Sequence, residues 1–176
     1  MTWDAYNRRK SALREVLALA DRRRHDTADQ LLDAVPDARA AFGDDLSLLF
    51  DVQMAWYQRL SGELDRTVLE GDSPATVAVE AWVACAAEMP GVRALLDAHR
   101  DRPELAKAFA KERALLAVSA GISSWHPDLV GQGEHLVSQA REQVEYPSVE
   151  SMPPLHGGSD NRTSAFITRL RNALAA

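Results

Sequence analysis

Five histidines, a lone cysteine and one Gly-Gln-Gly triplet are where this sequence could do chemistry. His25, His99, His126, His135 and His156 fall mostly at helix ends or in loops. No two of them stand four apart, the spacing that puts two imidazoles on one helix face for a metal ion. Asp97 and His99, two apart, point to different sides of a helix. A Glu-x-x-His pattern of the di-iron type is absent. Cys85 lies in the apolar run Trp82-Val83-Ala84-Cys85-Ala86-Ala87, where burial raises a thiol's pKa and keeps it from acting as a nucleophile. The serines sit at caps and in loops with no base in sequence reach. Gly131-Gln132-Gly133 lacks the preceding strand and third glycine of a phosphate-binding loop, and reads as a turn. No catalytic residue, metal ligand or cofactor-binding residue is therefore expected, and a pocket assembled from distant residues is the one route to catalysis left open.

Residues suited to binding are easier to find. Trp56, Tyr57 and Trp82 stand on helices expected to be central, where large rings form core or line a ligand pocket between helices. Trp125, beside His126 and Pro127, reads as a loop residue that covers one end of the core or serves an exposed contact. Near the C-terminus, Phe166, Ile167, Leu170 and Leu174 share the apolar face of a short helix that either docks back or is presented to a partner. Arg22, Arg23 and Arg24 close a basic first helix. They are candidate phosphate contacts, or a solvated helix end whose cations complement the dipole.

The charge distribution sharpens that choice. The net charge is −6, yet residues 1–24 carry seven basic and three acidic groups, whereas residues 26–72 carry eleven acids against three arginines. Such asymmetry steers an anionic partner to one end, or lets the two segments attract one another.

Helix signals position these residues almost throughout. Trp3, Tyr6, Leu13, Val16, Leu17 and Ala20 recur at three- and four-residue spacing, giving a helix to about Arg24. Thr27 with Gln30 has the capping-box pattern and opens a short helix over 28–35. A third short helix over 37–42 ends at Gly43. The longest runs over 45–70, with Leu46, Phe50, Tyr57, Leu60, Leu64 and Val68 as its main stripe and Leu49, Met54 and Trp56 widening it. Gly62 inside it suggests a close backbone approach. Helices over 74–88, 92–100, 104–120 and 128–145 follow, the first of them Ala-rich and buried, with Leu105, Phe109 and Leu116 facing inward on the third. The fold class is all-α: a multi-helix single domain with one long central helix over 1–145, a flexible Pro/Gly-rich segment over 146–160, and a C-terminal amphipathic helix over 161–176.

A chain of 176 residues buries roughly 70% of its unfolded surface without disulfides or metals. A single cysteine favours a reducing compartment. Neither a signal peptide nor an apolar run of ~18 residues is visible, so a cytoplasmic protein without a membrane span is expected.

The order of elements resembles TetR-type transcriptional regulators. The likeness rests on a helix of about twenty residues, two short helices between Thr27 and Phe42, and a Gly-Asp-Asp-Leu entry into one long helix. Behind these come Ala-Val-Glu-Ala-Trp (78–82) and Pro-Gly-Val-Arg-Ala-Leu-Leu-Asp (90–97). That resemblance implies a helix-turn-helix followed by a dimerising, ligand-binding helical domain. The chain departs from the pattern between Thr27 and Phe42, which is several residues short. Val35-Pro36-Asp37 replaces the turn glycine, and Arg39 is the one candidate base reader. An acidic segment binds a groove poorly. The expectation left standing is a non-catalytic regulatory or interaction module, able to form a homodimer, that binds a protein partner or a small ligand. The alternative is a nucleic-acid-binding regulator that uses its basic first helix.

Overall fold

Cap residues and apolar stripes together produce an all-α domain. The computed structural model describes residues 3–24, 26–67 and 73–144. Among them are eight α-helices, one 3-10 turn and no strand. They are α1 (Trp3–Arg22), α2 (Ala28–Ala34), α3 (Ala38–Phe42), α4 (Asp45–Thr67), α5 (Pro74–Glu88), α6 (Pro90–Ala98), the 3-10 turn Pro103–Leu105, α7 (Ala106–Ser119) and α8 (Leu129–Gln143). The chain divides into two units, Met1–Glu145 and Tyr146–Ala176. The Pro/Gly-rich segment and the C-terminal helix, with Phe166, Ile167, Leu170 and Leu174, lie outside the described residues, as do His25 and Val68. None of the described helices is long and apolar enough to cross a membrane.

Local chemistry sets the helix boundaries. The Gln30 amide donates to Thr27 Oγ1 at 3.3 Å while the Thr27 amide donates to Gln30 Oε1 at 2.7 Å, so the capping box opens α2 as the sequence pattern requires. At the start of α4, Asp44 Oδ1 accepts from the Ser47 amide at 2.7 Å. Pro74 and Pro90 occupy first-turn positions of α5 and α6, where a missing N–H costs nothing. Helix α6 consequently begins at Pro90 rather than Val92, with Met89 alone separating it from α5.

Two glycines allow helices to touch, and Gly62 is not one of them. A Cβ on Gly62 would meet nothing within 4 Å. One on Gly91 would lie 1.9 Å from the Ala20 carbonyl oxygen, and one on Gly133 would lie 2.0 Å from that of Arg113. Gly91 therefore seats α6 on α1, where Asp21 Oδ1 also accepts from the Gly91 and Val92 amides at 2.8 and 3.3 Å. Gly133 seats α8 on α7. Gly131, Gln132 and Gly133 are thus part of α8, within the helix expected over 128–145 and not a turn; Gly133 serves there for close packing, at the usual cost of about 1 kcal/mol in a helix.

The basic first helix and the acidic segment meet directly. Arg9 Nε donates to Asp51 Oδ2 at 2.7 Å and its Nη2 donates to Asp51 Oδ1 at 3.0 Å, a bidentate pair. Its Nη1 reaches the Ala41 carbonyl at 2.9 Å, and the guanidinium lies 4.7 Å from the centre of the Phe42 ring. This one arginine ties α1 to α3 and α4.

Candidate functional site

Helix α4 and helix α7 build the site from a shared pattern. On α4 the buried residues are Leu49, Val52, Gln53, Trp56, Leu60, Glu63 and Leu64, with Leu48 beside them. Phe50, placed on the core stripe by its spacing, is instead 42% exposed, and Met54 is 53% exposed. On α7 the inward residues are Leu105 just before it, then Phe109, Glu112 and Leu116. Each helix therefore carries a polar residue at a core position, and α6 does too, with Arg93 only 1% exposed.

These three polar groups find one another. Glu112 Oε1 accepts from the Trp82 indole N–H at 3.0 Å and from Arg93 Nη1 at 3.3 Å. Glu112 Oε2 accepts from Gln53 Nε2 at 2.8 Å. Arg93 Nη2 lies 2.9 Å from Asp97 Oδ1, and Arg141 Nη2 on α8 donates to the same oxygen at 2.6 Å. The Arg93 guanidinium is 4.8 Å from the Trp56 ring centre and 5.6 Å from that of Trp82. The two indoles meet edge to face at 5.6 Å and 72°. Buried Arg93 and Glu112 thus balance one another, with the part-exposed pair Asp97 and Arg141 beside them, the condition under which buried ions are tolerated. The matching is incomplete, for Gln53 Oε1, Trp56 Nε1 and Arg93 Nε are buried without a hydrogen-bond partner.

Outside this cluster, α4 and α7 leave a groove of about 710 Å³, within the roughly 300–1,000 Å³ of small-molecule pockets. Phe50, Met54 and Tyr57 form one wall and Gln53 lines it as well. Lys107, Lys111, Leu115 and Val118, with two alanines, form the other. Val118 is 46% exposed, so three large apolar side chains face water along one groove. Lone exposed apolar residues are ordinary, but a contiguous set marks a contact site.

The aromatic candidates separate accordingly. Trp56 and Trp82 are fully buried in the charge cluster, Tyr57 lines the groove, and Trp125 stands 92% exposed in the loop before α8. Of the arginine cluster, Arg23 comes within 3.7 Å of Asp26, and Arg22 and Arg24 are exposed. Arg39 on the five-residue α3 is held by Asp33 through Nε at 2.6 Å and contacts Asp29 at 3.4 Å. Cys85 is buried, and desolvation pushes its thiol up to about 11. No group of three metal-ligating side chains occurs among the described residues.

Sequence reasoning missed Gln53, Arg93, Glu112 and the groove. A usable signal was present: Glu112 falls between Phe109 and Leu116 on the inner stripe of α7, and Gln53 falls four after Leu49 on α4. A charge at a core register position demands a partner of opposite sign elsewhere in the core, and Arg93 among Val92, Leu95 and Leu96 supplies it.

Fold and site together define an all-α domain with an internal ion cluster beneath a surface groove. Comparison with protein-family models, curated proteins and solved structures finds no match to the chain.

Proposed function

We propose that this is a non-catalytic regulatory module that binds a small, largely apolar ligand in the groove between α4 and α7. The observation that carries it is the alignment of Phe50, Met54 and Val118, all exposed, along one concave surface. Burying such side chains contributes about 25 cal/mol per Å² of apolar area, which is the driving force for a ligand of this character. Cys85 is buried with its pKa raised, so the one thiol is no nucleophile, which favours a binding over a chemical role.

The order α1 to α4 supports a TetR-like ancestry for the module. Within that reading, Arg39 is engaged by Asp29 and Asp33 instead of projecting toward a base, which favours ligand binding over base reading. The exposed Arg22 and Arg24 favour the nucleic-acid alternative. Anisotropy of labelled duplex DNA at low and physiological salt, compared with the Arg22→Ala, Arg23→Ala, Arg24→Ala variant, separates the two readings. Salt-sensitive binding lost in that variant promotes the alternative.

The ligand reading is tested with 1-N-phenylnaphthylamine, a neutral dye that brightens in apolar sites. The expected result is saturable binding by the full chain, weakened at least about tenfold by Met54→Asp, because an isolated charge resists burial against the dye. Unsaturable or unchanged binding would remove the groove as the site.

A further inference from the structure

The groove has a charged half and an apolar half, and that polarity narrows the chemistry of the small ligand proposed for it. Two contacts set the register of its walls. Arg102, just before α7, pairs with Asp45 at the start of α4, and Gln53 hydrogen-bonds Glu112 further along both. The two helices therefore run alongside in the same sense. Lys107 and Lys111 fall toward the Phe50 end, and Leu115 and Val118 fall toward Tyr57 and beyond. From Lys107 to Val118 the wall measures about 16 Å, at a 1.5 Å rise per residue.

Charge is one-sided along this surface. Both lysines line the groove, and no aspartate or glutamate among the described residues does. Neither lysine forms an ion pair among the described residues, although most of their arginine counterparts do. Their aliphatic stems extend the apolar lining while the ammonium groups remain available at the rim, the usual behaviour of lysine at an apolar boundary.

We infer, on the strength of the small-ligand reading, that the groove takes an anionic amphiphile, an acyl or arylalkyl carboxylate. Its head pairs with Lys107 and Lys111, and its tail lies against Met54, Tyr57, Leu115 and Val118. The charge pattern argues against the two other natural occupants. A basic amphipathic helix meets like charge at the lysine end. A second copy packed parallel sets lysines against lysines, and one packed antiparallel lays each lysine end on the partner's apolar end, where the ammonium groups lose water without gaining an anion.

The test uses decanoate and decanol, which share a chain and differ in head group, as competitors of the neutral dye on the full chain. For wild type, decanoate is expected to displace the dye saturably, and its apparent affinity to fall several-fold between low and high salt while that of decanol holds. In the Lys107→Gln, Lys111→Gln variant, decanoate weakens by about tenfold, the combined contribution of two partly exposed charge pairs. Dye and decanol binding remain, which reports an intact groove. Decanoate unaffected by salt and by the double substitution would overturn the inference and leave the small-ligand reading in place. Failure of dye, decanol and decanoate alike would overturn both. Dye binding that disappears as the protein dimerises in sedimentation would assign the groove to a second copy and overturn both as well.

Discussion

Glu112→Gln changes one atom in the most crowded polar contact of the core and isolates the worth of a buried charge. The glutamate accepts from Trp82, Gln53 and Arg93. Glutamine keeps the shape and the acceptor for Trp82. Its new amide can donate to Gln53 Oε1, which has no partner in the native arrangement, once the Gln53 amide turns over. What is lost is the negative charge facing Arg93. Removing one member of a buried pair costs roughly 3–5 kcal/mol, and the low end applies because Asp97 still faces Arg93 at 2.9 Å. Arg93→Met costs about as much, since it strands Glu112 and removes the cation from both indole faces. The double variant holds neither charge, so its loss should fall at least about 2 kcal/mol short of the summed single losses. Urea unfolding followed by tryptophan fluorescence measures all four proteins, and two of the four tryptophans sit in the cluster itself. Additivity within about 0.5 kcal/mol would refute the view that Arg93 and Glu112 form one energetic unit.

The packing and the ion pairs set three further outcomes. Gly91→Ala and Gly133→Ala drive a methyl into a helix backbone, so each should lower stability by about 1–3 kcal/mol. Gly62→Ala, with open space around it, should raise stability by about 0.5–1 kcal/mol, and urea unfolding of the three variants beside wild type measures all of these shifts. Cys85, buried and with its thiol pushed up to about 11, should resist an aromatic disulfide reagent at pH 8 until urea unfolds the chain. Full modification of the native protein would contradict its placement. Arg102 holds the Asp45 carboxyl below its usual range, and Arg66 with Arg59 does the same for Glu63. Both groups therefore contribute stability that is present above roughly pH 4 and is lost as pH falls through their lowered folded values. Acid titration of the urea midpoint should show that decline, and Asp45→Asn with Glu63→Gln should flatten it.

Much of the fold could be read from local signals because those signals are local in origin. A capping box, a proline in a first turn or a glycine after a helix acts within one turn of chain, and the bounds of α2 and α5 and the start of α4 lie close to where those residues place them. The face of a helix is different, since it depends on what packs against it. On α4 the spacing of Phe50, Tyr57 and Leu60 makes as good a stripe as that of Leu49, Trp56 and Leu60. Only the helices packed around α4, chiefly α5, α7, α2 and α6, decide between them, and they choose the stripe that carries Gln53 and Glu63. Gly133 misled for a similar reason. A glycine pair reads as a turn until the partner helix that needs the missing side chain is known.

Trp3, Tyr6, Trp125 and Val130 are exposed singly elsewhere, but one helix pair gathers exceptions to the apolar-inside rule of both kinds. Buried Gln53 and Glu112 stand on α4 and α7, and exposed Phe50, Met54 and Val118 stand on the same two helices. Sequences depart from consistent patterning chiefly where function demands it. A helix pair that keeps an amide and a carboxylate inside while leaving three large apolar groups in water forgoes burial on both counts. Gln53 joins the two departures, since one side chain both lines the groove and holds the charged cluster through Glu112. On the proposed reading, a ligand seated over Gln53 would bear on the hydrogen bond from Gln53 to Glu112, and through Glu112 on Trp82 of α5 and Arg93 of α6. That continuity is the physical route from the surface to the centre of the bundle that the proposed regulatory role would need.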